Sequence, residues 1–193
     1  VRSIRDIGYR GNGDAIAEFI DNSIQAYADR VDILFGFDEG GSDKKPTKLA
    51  IVDNGHGMEP DMIRMAIMWG GTHRENDRLG LGRYGYGLPC ASVSLGRRFT
   101  VYSQTMESDL YAVTLDLDEL SSGAYTDRRG DIIIPPPKSA TLPSFVRDHL
   151  ASEYGSAWLH GTVIVIDKLD RLEWTTAQGL SDNLAKQFGV TYH

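Results

Sequence analysis

The hydrophobic period of this chain changes once near its start, and that change narrows the folds open to it. From Asp14 to Val31 the apolar residues Ile16, Phe19, Ile20, Ile24, Tyr27 and Val31 recur at steps of three and four, the period of an amphipathic helix. Asn12 or Asp14 is placed to cap it. Val31, Ile33, Phe35 and Phe37 then alternate with other residues as a strand does. The polar stretch Glu39 to Thr47 reads as a hairpin loop, and a second strand follows at Lys48 to Val52.

Further along, Pro60 suits the first turn of a short helix running to about Trp69. A polar, glycine-rich segment from Gly70 to Gly87 leads into a small-residue helix, Leu88 to Leu95. Phe99 to Ser103 and Tyr111 to Leu117 alternate as paired antiparallel strands would. A surface excursion from Ser121 to Ala140 carries Pro135, Pro136 and Pro137 around a short strand at Ile132 to Ile134. Then come a helix from Pro143 to about Glu153, a strand Thr162 to Ile166 and a last helix from about Thr176 to Phe188. The expected fold is an α/β (α+β) two-layer sandwich, a mixed and mainly antiparallel sheet with helices on one face.

The 193 residues, 41% hydrophobic and 24% charged, fit one globular domain with a sizeable core. Because the first residue is Val1 and the last follows a helix-like run, residues 1–193 are expected to be one domain from the N-terminal part of a longer polypeptide. A net charge of −7 argues against binding nucleic acid by bulk electrostatics, so such contact is expected only through the parent protein. The single Cys90 cannot form an internal disulfide, and no signal peptide or apolar run of the ~18 residues a membrane span needs is present. The expected location is the cytoplasm, or the nucleus in a eukaryote.

Four local patterns carry chemistry. On the first helix Glu18, Asp21, Asn22 and Gln25 share a face, which sets a carboxylate and a carboxamide one turn apart, opposite a stripe led by Ile20 and Ile24. Such a pair can deprotonate a water and ligate Mg²⁺ beside phosphates, although a face like this is more often simply solvated. Asp53-Asn54-Gly55-His56-Gly57-Met58 directly follows a strand. An aspartate there can accept an adenine amino proton, the glycines admit a ring close to the backbone, and Met58 offers a soft apolar wall. Gly80-Leu81-Gly82-Arg83-Tyr84-Gly85-Tyr86-Gly87 opens onto a helix, as anion-binding loops do, but lacks the Gly-Lys-Ser/Thr ending of a Walker loop. His160-Gly161-Thr162 begins a strand and supplies a hydroxyl.

Each pattern alone is ordinary; their order is not. Glu-x-x-Asp-Asn on a helix, Asp-x-Gly-x-Gly at a strand end, a glycine-rich lid and a Gly-Thr strand, spanning Glu18 to Thr162, resemble the GHKL superfamily of gyrase, heat-shock chaperone, histidine-kinase and MutL ATPases. Ala15 to Asn22, the lid and His160-Gly161-Thr162 look most like the Microrchidia (MORC) branch and its prokaryotic relatives, although Pro89-Cys90 stands where that branch has Lys-Ser.

The resemblance implies hydrolysis of ATP to ADP and phosphate with Mg²⁺. It casts Glu18 as general base and Asn22 as the Mg²⁺ ligand. Asp53 would hold the adenine amino group, with Gly55, Gly57 and Met58 at the ring and Thr162 completing the base contact. Residues 70–87 would be the lid, where Gly82, Gly85 and Gly87 bind phosphate through their backbone and Arg83, Tyr84 and Tyr86 join them. Asp21 would support the shell, and His73 and Arg74 lie near the lid. ATP-linked lid closure and homodimerisation through the full-length protein, with a lysine from a following domain, are implied too. Histidine kinases of the superfamily typically have Asn where Glu18 stands, which favours hydrolysis over phosphotransfer; nucleotide sensing with little turnover is the other alternative.

Overall fold

The computed structural model describes residues 9–42, 44–68, 87–155 and 158–191. In chain order the elements are α1 (Asn12–Gln25), β1 (Val31–Gly36), β2 (Lys48–Asp53), α2 (Pro60–Ile67), α3 (Gly87–Leu95), β3 (Gly96–Gln104), β4 (Tyr111–Asp116), α4 (Leu117–Ser121), β5 (Lys138–Ser139), α5 (Ser144–Glu153), β6 (Gly161–Leu169) and α6 (Ala177–Thr191). The six strands lie in the order β1-β2-β6-β3-β4-β5, and every pairing is antiparallel. The last strand in sequence thus enters between β2 and β3, where residues 161–166 are all buried.

Side chains alternate across this sheet. Leu49, Ile51, Ile164 and Ile166 face a core shared with Ile16 and Phe19 of α1, Ile63 and Ile67 of α2, Val93 and Leu95 of α3, and Leu180 and Leu184 of α6. Ala50, Val52, Val163 and Val165 face the other way and are covered by Val146 and Leu150 of α5. The helical layer is therefore on one face, as expected, with α5 added on the opposite face over β2 and β6.

Helix α1 is set differently from the sequence reading in three respects. Its N-cap is Gly11, without a side-chain cap bond. Asn12 lies inside the helix and is 4% exposed; its side chain donates to the Arg171 carbonyl at 2.9 Å and accepts from the Glu173 N–H at 2.6 Å, tying the helix start to the segment after β6. The buried stripe is Asn12, Ala15, Ile16, Phe19 and Ser23, with Ile20 only partly covered and Ile24 53% exposed. Steps of three and four fit either of two adjoining helix faces, and the contacts with the sheet select one. The helix stops because Tyr27 adopts a left-handed backbone (φ 58°), the conformation that commonly closes helix C-termini. Val31 consequently starts β1, opposite Asp53.

No strand forms at 132–134; Ile132 makes one isolated bridge to Thr126. Prolines 135–137 lack the N–H a ladder requires, so regular pairing with β4 resumes just beyond them, at Lys138 and Ser139. Leu117 likewise leaves β4 to open α4, where the Asp116 carboxylate accepts from the Asp118 N–H at 2.8 Å. The helix from Pro60 holds, with the proline in its first turn.

Asn12→Ala should strip two buried bonds at once. An expected loss of about 1–3 kcal/mol in a urea titration would show it, whereas an unchanged midpoint would mean the 171–173 tether contributes nothing.

Candidate functional site

The end of β2 delivers Asp53 into the protein, 6% exposed. A carboxylate so placed must find donors, and three elements supply them. Its Oδ1 accepts the Gly55 N–H of its own turn at 2.9 Å and the Thr162 N–H of β6 at 3.0 Å. Its Oδ2 lies 3.0 Å from the Ser23 hydroxyl of α1. Ser23 Oγ is also 2.9 Å from the Phe19 carbonyl, and its one proton serves only one of these acceptors at a time. Two donors fill Oδ1; Oδ2 keeps acceptor capacity. Burial pushes the Asp53 pKa above its ordinary 3.8, against the lowering effect of the Gly55, Thr162 and Ser23 bonds.

The turn after Asp53 is clamped from β6. The Trp158 indole N–H donates to the Asp53 carbonyl at 2.9 Å, and a ring nitrogen of His160 lies 2.5 Å from the Gly55 carbonyl. Two glycines let the strands approach this closely. A Cβ on Gly57 (φ 73°) would fall on the Gln104 carbonyl, and one on Gly161 (φ 142°) would fall on the Asp53 carbonyl. Asn54 faces the other way, its side-chain oxygen accepting the Asp29 and Arg30 N–H groups at 2.9 Å each. Behind the site, the buried Ser103 hydroxyl accepts from the Met58 N–H at 2.8 Å and sits 2.9 Å from Thr162 Oγ1, which holds Met58 and Thr162 side by side.

Asp53 opens into a cleft between α1, α2, the turn after β2 and β6. Met58, Met62, Met65, Ala66 and Ile164 form an apolar wall; Phe19, Asn22 and Ser23 bring one face of α1, with Ala26 at its C-cap; Gly57, His56, Thr162 and Leu88 close the rest. A flat apolar ring with one polar edge fits such a lining. Gly55 is not among these lining residues; it lies against Ala26 and donates to Asp53. His56 is exposed, its Nδ1 2.6 Å from the Gly57 carbonyl.

Asn22 lines the cleft and Glu18 does not. Glu18 lies one turn back on α1, against Gly87: a Cβ on Gly87 would fall on its carboxylate. Burial and the neighbouring Asp21 raise the Glu18 pKa, while a hydrogen bond with Asn22 lowers it. The Asn22 carboxamide oxygen is a hard ligand of the kind Mg²⁺ takes alongside phosphates, one helical turn from the Glu18 carboxylate. Among the described residues no three His, Cys, Asp or Glu side chains converge as a metal cluster would. Gly82, Arg83, Tyr84, Gly85 and Tyr86, with His73 and Arg74, lie outside the described residues. Pro89 and Cys90, in place of Lys-Ser, are buried in α3. Lys168 is engaged with Asp116 at 2.7 Å and Asp118 at 3.0 Å. Among the described residues, no helix is long and apolar enough to cross a membrane.

Ser23, Ser103 and Trp158 were not legible in the sequence. Ser23 carries the only available signal, being one helical turn beyond Phe19 on the buried stripe.

Comparison with known proteins identifies the family. The chain is 35% identical over 94 residues to mouse "ATPase MORC2B", covering 47% of this chain and 9% of that protein. It is 30% identical over 130 residues to Arabidopsis thaliana "Protein MICRORCHIDIA 7", covering 63% of this chain and 17% of the relative. With the human "MORC family CW-type zinc finger protein 1" it shares 28% identity over 131 residues, covering 64% and 12%. The chain therefore spans less than a fifth of the length of these relatives. The family described as "Histidine kinase-, DNA gyrase B-, and HSP90-like ATPase" matches residues 9–141, more than half of the chain, from before α1 through β5. With its sheet, its buried Asp53 and its MORC-like relatives, the chain belongs to the histidine kinase-, DNA gyrase B- and HSP90-like ATPase family, as a MORC-like ATPase domain.

Proposed function

We propose that residues 1–193 act as one domain that binds Mg²⁺–ATP with the adenine amino group on Asp53 Oδ2 and hydrolyses it with Glu18 as general base. The observation that carries this reading is the buried carboxylate whose second oxygen keeps acceptor capacity at the base of an apolar cleft. Met58 and Gly57 flank the ring, and Thr162 completes the base contact from β6. At the other end, Glu18 accepts a proton from the water that attacks the γ-phosphorus, and ADP leaves. A pKa raised by burial and Asp21 makes Glu18 a better base near neutrality. Asn22 would hold Mg²⁺, whose chemistry there is to neutralise phosphate charge.

The backbone of Gly82, Gly85 and Gly87 receives phosphate oxygens, joined by Arg83, Tyr84 and Tyr86, and residues 70–87 close over the nucleotide. Closure is linked to homodimerisation through the full-length protein, where a lysine from a following domain meets the charge developing on the phosphoryl group. The domain works in the cytoplasm, or in the nucleus of a eukaryote, and any nucleic-acid contact belongs to the longer protein.

Substitutions should separate the two ends of the site. Asp53→Asn is expected to weaken ATP binding by about 1–3 kcal/mol in calorimetry, because an amide offers the adenine amino group a donor or a reoriented oxygen. Glu18→Gln should bind Mg²⁺–ATP almost normally yet lose about 10²–10⁴ of its turnover, and Asn22→Ala should also lose the magnesium-dependent part of binding. Wild-type turnover in Glu18→Gln would move the base role to another group.

The raised Asp53 pKa adds a pH signature. The folded apo domain holds this proton more tightly than the unfolded chain, so the group's contribution to stability is fully present below the ordinary 3.8 and is lost as pH climbs through the raised value. Glu18 acts in the same direction. ATP affinity should run the opposite way, falling as acidification protonates the acceptor; affinity that rises toward acid pH would rule out an ionised Asp53 at the base.

A further inference from the structure

Tyr9 precedes α1 and is half-buried, its ring packed against the core that Phe19 and Leu88 share. Its hydroxyl donates to the Gly87 carbonyl at 3.2 Å. Gly87 is the first residue of α3, and its missing side chain makes the space Glu18 occupies. Three separate stretches of chain thus meet at one point: the segment before α1, α1 itself and the start of α3. Burial first, then the charges of Glu18 and Cys90, pushes the Tyr9 pKa up to about 12, so near neutrality the phenol stays protonated and remains a donor. Tyr9 is not among the residues lining the cleft.

A glutamate has several rotatable bonds, and a general base works only when its oxygen meets the attacking water from a narrow range of directions. The Gly87 backbone is the wall that limits Glu18 on one side. We infer that Tyr9 is a positioning residue for hydrolysis: by holding the Gly87 carbonyl it fixes the wall against which the Glu18 carboxylate rests, and hence the direction from which Glu18 reaches water. This rests on the reading of Glu18 as general base. Tyr9 acts on the rate through Glu18: it holds the Gly87 carbonyl, whereas a phosphate oxygen would be received by the Gly87 N–H, so the nucleotide's own contacts are kept.

Tyr9→Phe keeps the ring in the core and removes only the donor. The test is ATP turnover and binding of a non-hydrolysable ATP analogue for the full chain as wild type, Tyr9→Phe, Glu18→Gln and the double variant. The expected result is a kcat lower by about tenfold in Tyr9→Phe with KM and analogue affinity unchanged, and no further loss when the same change is made in Glu18→Gln. An unchanged kcat in Tyr9→Phe, beside a Glu18→Gln protein that has lost turnover, refutes the role of Tyr9 and leaves the general base standing. A loss that persists in the Glu18→Gln background, or one that brings affinity down in parallel, makes Tyr9 a merely structural residue and overturns the inference. Turnover insensitive to Glu18→Gln defeats the general-base reading, and the positioning role falls with it.

Discussion

A carboxylate held away from water is the constraint around which this domain is arranged. Leaving Asp53 buried without donors would cost several kcal/mol, and each hydrogen bond to a charged group returns roughly 1.5–3 kcal/mol. Those bonds come from α1, from the turn after β2 and from β6. The Thr162 bond is available because β6 inserts beside β2, with Val163 opposite Val52, which places Thr162 next to Asp53. A topology that parted β6 from β2 would take Thr162 away from Asp53.

The same insertion explains the glycines. Gly57 and Gly161 adopt positive φ where the backbones of the Asp53 turn, β3 and β6 crowd together, and any side chain there meets a carbonyl. Trp158 and His160 then pin the turn from the β6 side. The turn beside the cleft is thus held in place from several directions, as the proposed contact between one acceptor and one edge of a base requires.

Helix α1 connects stability with chemistry. Phe19 is both a core residue and part of the cleft wall, while Glu18 and Asn22 share a face one turn apart. Local period and motif order made much of this legible: the hairpin, the Pro60 helix, Asp53 at a strand end and Thr162 at a strand start depend on adjacent residues. What escaped depends on distant ones. Ile24 fits the helical period as well as Phe19 does, and only the position of the sheet leaves it exposed. Ser23, Ser103 and Trp158 acquire their roles from partners 30, 45 to 59 and 105 residues away. The short strand displaced from 132–134 to Lys138 and Ser139 follows from prolines whose effect on pairing was visible in kind but not in register.

The claim that Asp53 reads the amino group of adenine is tested most directly by changing the ligand and leaving the protein intact. Calorimetry with magnesium would compare ATP with the triphosphate of purine riboside, which lacks only the exocyclic amino group. The account predicts weaker binding of the analogue by about 1–3 kcal/mol, roughly fivefold to 150-fold, since the Asp53 acceptor would be buried against a C–H edge. Equal affinities for the two nucleotides would contradict it.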